Sequence, residues 1–346
     1  MKKMKKFLVV LISAALLMGM VAACSKPAPE KPADDPVVDA PADEPTDTPA
    51  DEPATDEKIL IPVISKGFQH QFWQAVKLGA EQAAEEYGVE ITFEGPETEA
   101  QVDKQLDMIQ AALAKKPQAL ALAALDSKAA AQYIEQADAA GIPVVGFDSG
   151  VDSPLVKSTA ATDNYAAAAA AADKMAELIG GKGKVGLIVH DQTSKTGVDR
   201  RDGFVDTLNE KYPDIEVVPV QYGEGDHAKS TEAAKAILTA NPDIVGMFGA
   251  NEGSIAGVIN AARELNKIEQ ITIIGFDSGK ILLDAIKDGT VAGAITQDPV
   301  GIGYKAVEAA YRAYKGEPNE EFIDTGFKWY DLSNMDDDDI KVVLYE

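Results

Sequence analysis

The chain of 346 residues holds one cysteine, three histidines and two tryptophans, and its 32 Lys and Arg fall far short of its 57 Asp and Glu. Each shortage excludes something. A single cysteine, Cys24, can build neither a disulfide framework nor a thiolate metal site within the chain. His70, His190 and His227 lack the i,i+4 spacing that sets two imidazoles on one helical face, so no metal site is read. The formal charge of −25 argues against nucleic acid and anionic membrane surfaces as partners, because both demand clustered Lys and Arg. An apolar run of any length occurs at Phe7 to Ala23, too short and too abruptly ended for a comfortable membrane span.

That run has a basic forerunner, Lys2, Lys3, Lys5 and Lys6, and residues 1–23 therefore read as an export signal. Val21-Ala22-Ala23-Cys24 resembles the bacterial lipobox, whose cysteine is lipidated and becomes the first residue after cleavage. The resemblance implies a protein held by acyl chains on the outer face of the cytoplasmic membrane, at a Gram-positive surface or otherwise in a periplasm. Residues 24–57 follow as an acidic, Pro-rich segment with Pro-Ala-Asp-Glu-Pro at 41–45 and again at 49–53. Nothing there can build a core. It is expected to stay disordered as a tether reaching on the order of 100 Å.

From Ile59 the pattern alternates between strand and helix. Segment 59–64 reads as a strand and 68–87 as a helix, with Phe72, Val76, Ala80, Ala83 and Tyr87 on one stripe and Gly88 as its stop. Strand 89–93, helix 99–115, strand 119–123, helix 127–140, strand 142–147 and an Ala-rich helix 163–179 follow. A second run repeats the plan with strands 184–190, 215–220, 244–248 and 271–276 and helices 197–211, 227–240 and 252–265. Strand 291–296 and helix 301–315 precede a tail whose Asp336-Asp337-Asp338-Asp339 reads as a solvated turn, since a calcium loop needs interleaved ligands and a glycine bend. Such alternation predicts an α/β fold of two Rossmann-like, doubly wound parallel-sheet lobes.

Two strands end alike. Ile142 to Gly150 and Ile271 to Gly279 both close on Gly-Phe-Asp-Ser-Gly, which throws one carboxylate, Asp148 or Asp277, out at the strand's C-terminal end. Open α/β sheets hold their ligands at that end, so the pair reads as matching lips of a cleft. The competing role for each aspartate is to cap the helix that follows.

Several further motifs stand in register with this pattern: Phe72-Trp73, Phe147-Asp148, Arg200-Arg201-Asp202-Gly203-Phe204, Phe248-Gly249-Ala250-Asn251-Glu252, Gly275-Phe276-Asp277 and Thr296-Gln297-Asp298. With them the chain, from Lys58 to about Lys315, resembles type I periplasmic binding proteins. The likeness is to the sugar-binding group that includes the ribose-binding protein and shares its fold with the ligand domains of lactose-repressor-like regulators. The resemblance implies one lobe of 58–161 plus 298–324 and another of 162–297 plus 325–346, crossed near 159–163, 295–299 and 323–329. It implies no catalysis and no cofactor. A monomer would close by hinge motion around a small polyhydroxylated ligand, most readily a monosaccharide, and present it to ABC permease subunits. A sensory receptor of the same fold for a sugar-like signalling molecule is the rival reading.

The same resemblance implies site residues. Asp148 and Asp277 would accept hydrogen bonds from ligand hydroxyls, Arg200 would donate, and Asn251 and Gln297 could do either. Asn251 could also cap the helix beginning at Glu252. Phe72 and Trp73 would stack on the apolar face of a sugar, with Trp73 alternatively a core residue. His70 stands where ribose binders carry a polar amide, Asp126 ends a segment where they have an asparagine contact, and Ser149 replaces an arginine. His190, with Asp191 and Ser194 close behind, ends a strand on the cleft side and invites a hydrolase reading. The absence of a nucleophile elbow argues against it.

Overall fold

In the computed structural model the described residues are 58–345. The expected signal segment 1–23, Cys24 and the tether 24–57 lie outside them.

The first sheet draws on β1 (Leu60–Ile64), β2 (Glu90–Glu94), β3 (Leu120–Leu122), β4 (Val144–Phe147) and β5 (Thr159–Ala161), with α1 (Gln71–Tyr87), α2 (Val102–Ala114) and α3 (Ala131–Ala139) between them. The second is built from β6 (Gly183–Val189), β7 (Ile215–Val217), β8 (Gln221–Tyr222), β9 (Ile244–Gly249), β10 (Thr272–Phe276) and β11 (Gly293–Gln297). Its helices are α4 (Asn164–Leu178), α5 (Lys195–Lys211), α6 (His227–Ala240), α7 (Glu252–Glu264) and α8 (Lys280–Lys287). Helix α9 (Pro299–Tyr314) and β12 (Phe322–Asp324) return to the first sheet, and β13 (Phe327–Tyr330) and α10 (Asp338–Lys341) to the second.

Strand order is β12-β5-β4-β3-β1-β2, all parallel, in one sheet. In the other it is β13-β11-β10-β9-β6-β7, parallel except where β13 pairs antiparallel with β11. The chain thus passes between the sheets after β5, after β11 and after β12. The central strands are buried on both faces, which is why they read as unbroken apolar runs such as Val144 to Phe147.

Helix packing explains where the small residues fall. Helix α1 buries Phe72, Val76, Ala80 and Ala83 in a core that also takes in Ile302, Ala306 and Val307 of α9. The two helices approach so closely that a Cβ on Gly303 would lie 1.9 Å from the Val76 carbonyl oxygen, so only glycine fits. At the far end of α1, Gly88 takes φ 64° and its N–H reaches back into the last turn, the usual left-handed stop. Beyond α10, Tyr345 comes back across to Phe72, ring centroids 6.1 Å apart, while its N–H donates to the Ser278 hydroxyl at 3.3 Å.

Three local expectations shift. Helix α2 begins at Val102, leaving Glu99 in the preceding loop, and α3 begins at Ala131 after a run of turns. Helix α8 is additional. Its eight residues start after Gly279 without a side-chain cap, so the sequence carries no start signal there.

Candidate functional site

The two Gly-Phe-Asp turns share a strained backbone. Asp148 sits at φ 52° and Asp277 at φ 81°, in the left-handed region that non-glycine residues seldom occupy. That twist swings each carboxylate off the end of its strand, β4 or β10, into the space between the sheets. Strain of about 1–3 kcal/mol per such residue persists only where the surroundings enforce it, and it gathers at functional sites.

The surroundings of the two carboxylates differ. Asp277 accepts from Gln297 Nε2 at 2.8 Å and from the Glu252 N–H at 2.9 Å, with Arg200 Nη1 4.0 Å away. The Oδ2 of Asp148 is buried with no hydrogen-bond partner. Burial pushes the Asp148 carboxyl up to about 6, against the opposing pull of Lys66 and Arg200.

Around these aspartates runs a narrow polar cavity with about 20 Å³ of water-accessible space. The first sheet's side supplies Lys66, His70, Phe72, Trp73, Glu99 and Asp148. Trp73 stands edge-on to Phe72, centroids 5.0 Å apart, and donates its indole N–H to Glu99 Oε1 at 3.0 Å. It lines the cavity and belongs to the α1–α9 core at once. Burial would raise the Glu99 carboxyl, but the charge of Lys66, aided by the Trp73 indole N–H, holds Glu99 below the usual carboxylate range. Gln69 Nε2 donates to His70 Nε2 at 2.9 Å, which leaves the proton on His70 Nδ1, an atom with no partner.

The second sheet's side supplies His190, Thr196, Arg200, Asn251, Asp277 and Gln297. Arg200 is held by three contacts: Nε donates to Asn164 Oδ1 at 2.8 Å, Nη1 to the Ala250 carbonyl at 2.9 Å, and the guanidinium lies 3.7 Å over the Phe276 ring. Asn251 spends its Oδ1 capping α7 at the Ser254 N–H, 2.8 Å, while the residue still lines the cavity. Burial, reinforced by Lys66, lowers His190 to about 3, so the ring is neutral at physiological pH. Lys66 donates to Thr196 Oγ1 at 3.0 Å, that hydroxyl in turn lies 3.1 Å from His190 Nε2, and His190 Nδ1 has no partner.

Contacts cross the cavity from one side to the other. Besides Lys66 to Thr196, Gln69 Nε2 donates to the Gly225 carbonyl at 2.9 Å, the Lys280 N–H to Gln71 Oε1 at 2.8 Å and the Ser127 N–H to the Thr193 carbonyl at 3.2 Å. His70 and His227 face each other with ring centroids 6.0 Å apart.

Of the residues singled out in the sequence, His70, Phe72, Trp73, Asp148, His190, Arg200, Asn251, Asp277 and Gln297 come together at this cavity. Asp126 does not. Its Oδ1 accepts from the Lys128 and Ala129 N–H groups at 3.0 and 2.8 Å, so it caps the turn ahead of α3. Ser149 is fully buried beside Asp148, its carbonyl accepting from the Ala124 N–H at 3.1 Å, and is not among the cavity-lining residues. Ser194 donates to Asp191 Oδ2 at 2.8 Å and accepts from the Gly197 N–H at 3.1 Å, which is the bonding of a helix cap rather than a nucleophile. Lys66, Glu99 and Thr196 line the cavity and carried no sequence signal beyond their positions in the loops after β1 and after β2 and in the first turn of α5.

The lining has a definite chemistry. Lys66 and Arg200 face Asp148, Glu99 and Asp277, so another anion would meet net negative charge. Unpartnered acceptors remain at Asp148 Oδ2, Glu99 Oε2 and Gln297 Oε1, an unpartnered donor at His70 Nδ1 and an unpartnered ring nitrogen at His190 Nδ1. A hydroxyl group, which donates and accepts together, satisfies such a mixture. Among the described residues no cluster of His, Cys, Asp and Glu is placed to hold a metal.

Comparison with known proteins places the chain. Residues 61–318 match the family described as periplasmic binding protein domain. A carbohydrate transporter solute binding protein from Agrobacterium radiobacter, solved in complex with D-arabinose, is 32% identical and superposes with a TM-score of 0.81 over 84% of this chain and 100% of its own. An ABC transporter solute binding protein from Agrobacterium vitis with bound D-fucose is 32% identical with a TM-score of 0.80, covering 83% and 100%. The ribose import binding protein of Bacillus subtilis (strain 168) is 27% identical over 257 residues, 74% of this chain and 82% of that protein. These relatives are binding proteins, not enzymes. With two parallel-dominated sheets closing on a polar cavity at their strand ends, the chain belongs to the periplasmic binding protein domain family, as a type I member among the sugar-binding solute-binding proteins of ABC transporters.

Proposed function

We propose that this protein is the lipid-anchored, monomeric substrate-binding protein of an ABC importer, and that it captures one neutral monosaccharide by closing its lobes around it. The observation that carries the reading is Asp148, a buried carboxylate with an unpartnered oxygen in the polar cavity between the two sheets. Its ionised form accepts two neighbouring ring hydroxyls, each such charged bond contributing about 1.5–3 kcal/mol in a dry site. Glu99 Oε2 and Gln297 Oε1 accept further hydroxyl protons, His70 donates from Nδ1, His190 Nδ1 bonds another hydroxyl, and Phe72 with Trp73 covers the apolar face of the ring. Arg200 donates to ring or hydroxyl oxygens and offsets the carboxylates.

The sugars of the relatives, D-arabinose, D-fucose and ribose, support a pentose or hexose as the cargo here. The lipobox-like Val21-Ala22-Ala23-Cys24 and the acidic, Pro-rich sequence of residues 24–57 support display on the outer face of a cytoplasmic membrane, as on a Gram-positive surface, where ABC permease subunits receive the sugar from the closed form. Calorimetric titration of the purified protein against a panel of pentoses, hexoses and polyols tests the reading. At least one monosaccharide binds with a stoichiometry of one and is recovered unchanged. A folded protein that binds no member of the panel contradicts it.

A further inference from the structure

Helix α1 starts without a cap of its own. Its N-cap residue, His70, makes no side-chain capping bond, and its first turn contains no acidic residue. The missing acceptor comes from the other side of the cavity. Glu252, first residue of α7, accepts from the Gln71 N–H through Oε1 at 3.2 Å and from the Phe72 N–H through Oε2 at 3.3 Å. A carboxylate at a helix N-terminus satisfies orphan donors and meets the positive end of the helix dipole. Here donors and acceptor belong to opposite lobes.

We propose that Glu252 is a closure-determining residue, a helix cap that forms only when the lobes meet and so contributes to sugar affinity without touching the sugar. Three details favour this assignment. Glu252 is absent from the cavity lining, so its contribution is separable from ligand contacts. Its own N–H donates to Asp277 Oδ2 at 2.9 Å, which ties the cap to one of the two cleft aspartates. Residue 279 is glycine, and a Cβ there would lie 2.7 Å from Glu252 Cδ, so the second Gly-Phe-Asp-Ser-Gly turn ends in the one residue that leaves room for the carboxylate. The capped turn carries Phe72 and Trp73, which line the cavity. A contact made only in the closed state shifts the opening equilibrium by its whole free energy and strengthens binding in proportion.

This inference rests on the proposed sugar-binding role, and the test separates the two. Wild type, Glu252→Ala and Glu252→Gln, as full chains, are titrated with D-ribose, D-arabinose, D-fucose and D-tagatose. Sugar-free thermal unfolding, and hydrogen exchange of the 70–73 backbone amides in the sugar-bound proteins, are measured alongside. Expected are an affinity about tenfold or more weaker for the alanine variant, an intermediate loss for glutamine, an unchanged sugar-free melting temperature and faster exchange at Gln71 and Phe72. Alanine-variant affinity within about twofold of wild type overturns the inference, as does a matching loss of sugar-free stability, which would mark a merely structural contact. If wild type binds none of the four sugars, the sugar-binding role fails by itself and solution X-ray scattering decides the clasp: a more open average shape for Glu252→Ala than for wild type supports it, and identical profiles overturn it.

Discussion

Asp148 and Asp277 occupy equivalent turns, both with positive φ, yet Asp277 has both carboxylate oxygens engaged by protein donors whereas Asp148 Oδ2 has none. The duplicated turn has divided its labour. Asp277 organises the cavity by holding Gln297 and the start of α7, while Asp148 Oδ2 is left without a protein partner.

An open, buried carboxylate costs stability. Because the folded Asp148 carboxyl titrates at about 6 instead of its ordinary 3.8, its stabilising contribution is complete below 3.8 and is lost as pH rises through 6. Asp148→Asn removes that loss, and asparagine tolerates the left-handed backbone. At pH 7.5 the sugar-free variant should therefore be more stable than wild type, on the order of 2 kcal/mol or a few degrees in melting temperature. The advantage should fade by pH 4. A variant less stable than wild type at pH 7.5 speaks against the unpartnered carboxylate.

Sugar binding should follow the same titration with the opposite sense. Hydroxyl donors bind the ionised form, so affinity is full above about pH 7 and falls toward tenfold per unit once pH drops below about 6. His190, held near 3, and Glu99, held below the usual carboxylate range, keep their charge states over that window. Calorimetry at pH 7.5 and pH 5 reads the slope, and a flat affinity removes Asp148 from the ligand's partners.

Arg200 is positioned by its fork as much as by its charge. Lysine keeps the charge but cannot hold Asn164 Oδ1 and the Ala250 carbonyl together while lying flat on Phe276. Arg200→Lys should weaken sugar binding by about tenfold or more. Asn164→Ala, which frees the guanidinium without touching the cavity, should cost less, roughly threefold to tenfold. Equal affinity for wild type and Arg200→Lys would show that only the charge matters.

Asp126 gives the control. As a turn cap, its replacement by alanine costs about 0.5–2 kcal/mol of stability and leaves sugar affinity within about twofold of wild type. Thermal unfolding and titration of the one variant read both numbers. A tenfold affinity loss would return Asp126 to the site.

The fold was legible because its strands are buried on both faces and each long helix shows its own stripe, as Phe72, Val76 and Ala80 do on α1. The twin aspartates were legible because the turn is repeated. Lys66 and Glu99 were not. Each is a single charged residue in a loop, and what buries them is the meeting of two lobes, including Thr196, 130 positions away in the chain. Glu252 is hidden for the same reason, since its partners Gln71 and Phe72 precede it by 181 and 180 positions. Asp126 misled in the other direction, because a cap and a ligand contact use the same residue type at the same loop position.

The central claim, that Asp148 is the carboxylate reserved for the ligand, is tested most directly by one number: the calorimetric Kd of Asp148→Asn at pH 7.5 for the sugar that wild type binds tightest. The account predicts a loss of at least about tenfold in a variant that is folded and, without sugar, more stable than wild type. A Kd within about twofold of wild type contradicts it.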